Sequence, residues 1–137
     1  MTTSEISEAA MTTVERFLAA VCGDHDQASV WADGAVLDAV VPGWRFTLNG
    51  PSAIDEQFRA WFRDPGQLEE VARLSTAHGE VVELTVTWTE DGVPFAARQV
   101  HVLELDQDGS ISRDQMWCGG RWPASLLAQM AAASDAG

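Results

Sequence analysis

From about residue 67 onward, apolar side chains fall on every second position. Val82, Leu84, Val86 and Trp88 alternate with Val81, Glu83, Thr85 and Thr87, the pattern of a strand with one face in a core. Similar runs predict strands near 68–77, 80–89, 94–105 and 110–118, with turns at Gly79, Asp91-Gly92 and Asp108-Gly109. Upstream the period changes. Ala10, Val14, Phe17, Leu18 and Val21 recur at spacings of three and four, which predicts a helix over about 5–22. Asp24 or Asp26 is placed to cap a short second helix reaching about Trp31. The stretch "AVLDAVVPGWRFTLNG" reads as two short strands broken at Pro42-Gly43. Ile54, Phe58, Trp61 and Phe62 then form a helical stripe between Pro51 and the stop at Asp64-Pro65-Gly66. Pro123 opens a C-terminal helix carrying Leu126, Leu127 and Met130 on one face. The order predicts one α+β domain, with a curved, mostly antiparallel sheet wrapped around helices.

Turn lengths set which side chains face those helices. A two-residue turn at Asp91-Gly92 pairs Glu90 with Val93, and the rungs Trp88–Phe95, Val86–Ala97, Leu84–Gln99 and Val82–His101 follow. The apolar face of Val82, Leu84, Val86 and Trp88 must be the inner one, so Ala97, Gln99, His101 and Leu103 point inward too. With "DQDG" at 106–109 as a four-residue loop, Leu105 pairs with Ser110. His101 then lies directly opposite Asp114, and Gln99 opposite Met116. Val100, Val102, Thr85, Thr87 and Trp117 point outward, and an outer face with these apolar positions is expected to hold a homodimer together.

Composition narrows the function. The formal net charge is −13, and all eight cationic side chains are arginine. Such a surface repels phosphate backbones and anionic headgroups, so neither nucleic acid nor membrane is an expected partner. Without lysine there is no Schiff-base chemistry. No apolar run approaches the roughly 20 residues that span a bilayer. "MTTSEISEAA" has neither a basic start nor an apolar stretch, so no signal peptide is expected and the expected location is cytoplasmic. Cys22 and Cys118 form no spacing motif, and "DHD" at 24–26 lacks the ligand spacing of a metal site, so no metal or cofactor is expected.

His101 beside Asp114 has the composition of a general base oriented by a carboxylate; the same pair would also serve as a satisfied buried brace. Asp38 is a candidate second acid or base, set against the ordinary solvated aspartate of a strand end. Gln99, Trp88, Met116, Leu84, Phe58 and Trp44 are candidate lining of a ligand pocket, against plain core for the helix residues.

Three stretches, "FLAAVCGDHDQASVWADGAVLDA", "LNGPSAIDEQFRAWF" and "HVLELDQDGSISRDQMW", together resemble the nuclear transport factor 2-like superfamily, and the resemblance spans about residues 8–122. That group includes ketosteroid isomerases, SnoaL-like polyketide cyclases, limonene epoxide hydrolases and scytalone dehydratases. The resemblance implies a conical cavity between sheet and helices, a dimer through the outer sheet face, and a small apolar, cyclic or polyketide-like ligand. It also implies cofactor-independent isomerisation, cyclisation, dehydration or epoxide opening, or a binding protein without turnover. Residue by residue the match is partial. The isomerase base position falls on Ala39, next to Asp38, and the isomerase oxyanion aspartate falls on His101. The oxyanion tyrosine has no counterpart, because the chain has no tyrosine. The SnoaL-like "IxEHxDxW" pattern puts Asp114 at its histidine and Met116 at its aspartate. The arginine that bridges two aspartates in the epoxide hydrolases has no assigned match, with Arg45 and Arg73 unplaced.

Overall fold

The computed structural model describes residues 13–136. Helix α1 covers residues 13–21; the part of the expected first helix before residue 13 lies outside the described residues. Strands β1 (Trp31–Val41) and β2 (Trp44–Asn49) form a hairpin, and α2 (Pro51–Trp61) follows. Then come β3 (Gly66–Ser75), β4 (Gly79–Glu90), β5 (Val93–Leu105), β6 (Ile111–Cys118), the two-residue β7 (Trp122–Pro123) and α3 (Ala124–Ala136). The sheet order is β2-β1-β6-β5-β4-β3, with β7 added to β5. Every pairing is antiparallel except β1 with β6. The architecture is α+β: a mixed curved sheet, not a closed barrel, with α1 and α2 packed on one face.

The β4–β5 hairpin has the expected register along its whole length, from Glu90↔Val93 to Gly79↔Glu104. Asp91 and Gly92 both have positive φ, 49° and 79°, the backbone a twisted two-residue hairpin turn requires. At its far end Gly79 is pressed against the Leu103 backbone so closely that a Cβ would overlap the carbonyl oxygen.

The β5–β6 hairpin corrects the expected register. The loop has five residues, 106–110, held by the Asp106 carboxylate accepting from the backbone N–H groups of Asp108 and Ser110. Leu105 therefore pairs with Ile111 and not with Ser110. An odd loop alone would turn Asp114 out of the core. A β-bulge at Ser112 inserts one further residue, so Glu104 pairs with Arg113, Leu103 with Asp114 and His101 with Met116. The rungs are displaced by two residues and the faces are as expected.

The short helix over 24–31 does not form. Asp24 accepts hydrogen bonds from the Asp26 backbone N–H and from Gln27. The segment is tied instead to the end of α2, through His25 Nε2 to the Phe62 carbonyl at 2.9 Å and Gly66 N–H to the Cys22 carbonyl at 2.9 Å. These long-range bonds replace the local ones a helix would have made, and Trp31 begins β1.

The core lies between the helices and the inner sheet face. Val14, Phe17, Val21, Ile54 and Phe58 pack on Leu37, Ala39, Val82, Leu84, Val86, Leu103, Ile111 and Met116, all buried. Each large side chain of this set contributes about 1.5–3 kcal/mol by leaving water. Along β1 the alternation puts Ala35, Leu37 and Ala39 in the core and Val36, Asp38 and Val40 outside it. In α3, Leu126 and Leu127 are half-buried and Met130 is exposed. Among the described residues no helix is long and apolar enough to cross a membrane.

Candidate functional site

Four inward-facing residues of β5 and β6 form one polar network on the inner sheet face. Asp114, on β6, is fully buried. Its two carboxylate oxygens both lie 3.0 Å from Nδ1 of His101, on β5, which is also fully buried. The other ring nitrogen, Nε2, lies 2.8 Å from Oε1 of Gln99. The Gln99 amide nitrogen ends 3.6 Å from the Cys118 sulfur, a weak acceptor. The carboxylate accepts from Nδ1–H, and Nε2 shares a second hydrogen bond with the Gln99 amide. Turning the amide would reverse the second bond and leave the heavy atoms where they are. The Phe17 ring of α1 meets the imidazole edge-on, centroids 4.9 Å apart, and seals it from above.

This network opens on a cavity of about 360 Å³. Gln99, Met116 and Cys118 form its floor. Trp61, Phe62, Trp88 and Ala97 form the walls, and Val41, Pro42, Gly120 and Arg121 the rim. The lining is mostly apolar with few polar groups, the usual make-up of a small-molecule site. His101 and Asp114 stand behind Gln99 and do not line the cavity. At the rim Arg121 lies over the stacked rings of Trp88 and Phe95, 5.6 and 5.4 Å from their centroids. It is paired with Glu90, which also accepts from the Trp88 indole N–H at 2.9 Å.

No protein-family model and no curated protein sequence matches the chain. Solved structures do. A nuclear transport factor 2-like protein from Anabaena variabilis superposes with a TM-score of 0.70 at 14% identity, over 88% of this chain and 95% of that one. SalBIII, an epoxide hydrolase/cyclase-like enzyme of pyran ring formation in the polyether salinomycin, gives 0.61 at 17% identity, over 85% and 92%. An LEH-like epoxide hydrolase from M. tuberculosis gives 0.61 at 18%, over 81% and 83%. The fold is the nuclear transport factor 2-like fold.

Within this nuclear transport factor 2-like fold the expected site residues separate into four groups. Gln99, Trp88 and Met116 line the cavity. His101 and Asp114 are joined to it through Gln99. Leu84 is fully buried in the core below, Phe58 packs between Phe17, Trp31 and Trp61, and Trp44 is 68% exposed on β2, so none of these three reaches the cavity. Asp38 points to the opposite face. It holds Arg45 by two bonds of 3.0 and 2.8 Å; this hydrogen bonding keeps its carboxyl below the usual range, opposed next by burial and aided by the Arg45 and Arg113 charges. Arg73 is held by Glu80 through two bonds of 2.8 Å. Neither Arg45 nor Arg73 lines the cavity or bridges two aspartates there, so the epoxide hydrolase arrangement is not reproduced. Among the described residues no three His, Cys, Asp or Glu side chains gather as a metal site.

Sequence reasoning missed Cys118 and Arg121. Cys118 shares the inward parity of Gln99 and Met116, so alternation alone could have found it. Arg121 follows the last residue of β6, where no periodicity operates.

Proposed function

We propose that the protein binds a small apolar, ring-containing molecule in this cavity and holds one of its oxygens on the Gln99 amide N–H. One observation carries the reading: a buried amide, fixed from behind by His101 and Asp114, ends at an apolar cavity with only a sulfur for its donor. A ligand carbonyl, hydroxyl or ether oxygen is a better acceptor than that sulfur, and Trp61, Phe62 and Trp88 supply the apolar contact. His101 and Asp114 act as positioning residues. They fix the amide and polarise it toward the ligand, as hydrogen bonds in series do.

Cofactor-independent turnover is the second reading, and it rests on the same donor. An amide N–H aimed at a carbonyl or epoxide oxygen stabilises the negative charge that develops there during isomerisation, cyclisation, dehydration or ring opening. The epoxide hydrolase and cyclase-like neighbours are consistent with it. The lining has no carboxylate, imidazole or lysine to take a proton, which supports binding as the primary reading.

The test is Gln99→Glu, which keeps the acceptor for His101 and removes the N–H donor. 1-Tetralone, a bicyclic ketone, and naphthalene, the same size without oxygen, are titrated against tryptophan fluorescence. Tetralone is expected to lose about tenfold or more in affinity, the scale of one good hydrogen bond, and naphthalene to bind unchanged. Equal affinity of both variants for tetralone would remove Gln99 from the reading.

A further inference from the structure

The eight arginines are not distributed alike. Arg45, Arg63, Arg73, Arg98, Arg113 and Arg121 each have a carboxylate oxygen within 4.0 Å. Arg16, on α1, and Arg59, on α2, have no ion pair or hydrogen bond of this kind among the described residues. In a chain with 21 acidic residues this is an unexpected economy of partners. Both unpaired arginines line one pocket of about 140 Å³, between α1, α2 and the 24–31 segment. This pocket shares no lining residue with the cavity above Gln99. Within it, Arg16 Nε is buried with no hydrogen-bond partner. A buried cationic N–H left without an acceptor is destabilising, and native structures rarely leave one.

The rest of the pocket says what the missing acceptor is. Its floor is aromatic: Phe17, Trp31 and Phe58 meet one another at centroid distances of 5.2 to 6.2 Å. Two carboxylates also line it. Asp24 is turned into its own loop, accepting from Asp26 N–H at 3.2 Å and Gln27 at 3.1 Å. Asp55 lies one helical turn before Arg59 without pairing to it. The two aspartates oppose an anion the more strongly the higher its charge, so the two guanidinium groups suit a single negative charge better than a multiple one. The guanidinium fork matches a carboxylate.

We propose that this pocket binds a small monocarboxylate, with Arg16 and Arg59 on the carboxylate and the Phe17–Trp31–Phe58 cluster under its apolar part. The site is separate from the Gln99 cavity and stands whether or not that cavity is occupied.

The test uses benzoate, its neutral analogue benzyl alcohol, and inorganic phosphate, titrated at constant ionic strength into the 15N-labelled protein. Arginine Nε–H and tryptophan indole signals are followed. Benzoate is expected to shift the Arg16 Nε–H and Trp31 indole signals saturably. Phosphate should bind about tenfold or more weakly, and benzyl alcohol should leave the Arg16 signal in place. Arg59→Gln, at an exposed position, should weaken benzoate by about tenfold or more with the urea unfolding midpoint unchanged, and Arg16→Gln should abolish its binding. Gln99→Leu should leave benzoate binding unchanged, which separates this site from the cavity. An Arg16 signal that does not saturate with benzoate, or an unchanged affinity in Arg59→Gln, would overturn the proposal and leave a bound water as the partner of Arg16. An equal response to benzyl alcohol would overturn it too.

Discussion

His101 is hydrogen-bonded to Asp114, and yet Asp114 is not its strand partner. Nδ1 lies 3.0 Å from both carboxylate oxygens, while the residue directly opposite His101 is Met116 and Asp114 stands opposite Leu103. The bond is a diagonal one across the hairpin, within reach of long side chains on one face. Both side chains are fully buried, so removing one leaves the other without its partner in the core. His101→Ala is expected to cost about 3 kcal/mol or more in urea unfolding, and Asp114→Ala a similar amount. The double change to leucine should recover much of the loss, since two apolar side chains leave nothing buried and unpaired. Single variants within about 0.5 kcal/mol of the parent would mean that the pair is not coupled to the fold.

Asp38 is expected to be separable from the cavity. Arg45 and Arg113 hold its carboxyl below the usual range. A depressed folded value stabilises the protein above the unfolded carboxyl pKa, near 4, and that contribution fades as pH falls through the folded value. Asp38→Asn should therefore lower the melting temperature slightly at pH 7, and the gap from the parent should narrow as pH falls below about 4, through the lowered folded value. Tetralone affinity should be unchanged. A large loss of ligand affinity would place Asp38 in the site after all.

Gly79 is required by space. A Cβ there would overlap the Leu103 carbonyl, at the end of the β4–β5 ladder where Leu105 N–H also bonds to the His78 carbonyl at 2.8 Å. Gly79→Ala should cost about 2 kcal/mol or more and speed hydrogen exchange of the amides around Leu103 and Leu105. Gly34, with no atom near its would-be Cβ, is the control and should tolerate alanine.

The outer sheet face is expected to join two copies of the chain. Trp117 is 47% exposed there, beside half-buried Val100 and Val102. Light scattering at micromolar concentration should give a dimer for the parent and a monomer for Trp117→Arg, with the far-ultraviolet spectrum unchanged. A monomeric parent would refute it.

The sequence made some of this legible, and the reasons differ by element. Asp91-Gly92 specifies its own turn, so the β4–β5 register could be read rung by rung. Period two also put Gln99, His101 and Asp114 on one face. It could have put Asp38 outside as well, since Leu37 and Ala39 alternate with it as core residues. The 24–31 segment was misread because Asp24 and Asp26 are good helix caps locally, whereas the bonds that win run to Phe62 and Gly66, far along the chain. That Gln99 shields His101 from the cavity depends on side-chain depth, which alternation does not encode.

The bulge at Ser112 sets a rule for how this hairpin can change length. Ser112 is the spare residue of the ladder: losing it alone would leave Leu105 opposite Ile111 and Glu104 opposite Arg113, and Asp114, Met116 and Cys118 would keep their places on the inner face. Losing Gln115 instead would carry Met116 and Cys118 to the outer face. Single-residue changes in length should thus be tolerated at the bulge and rejected between Asp114 and Cys118.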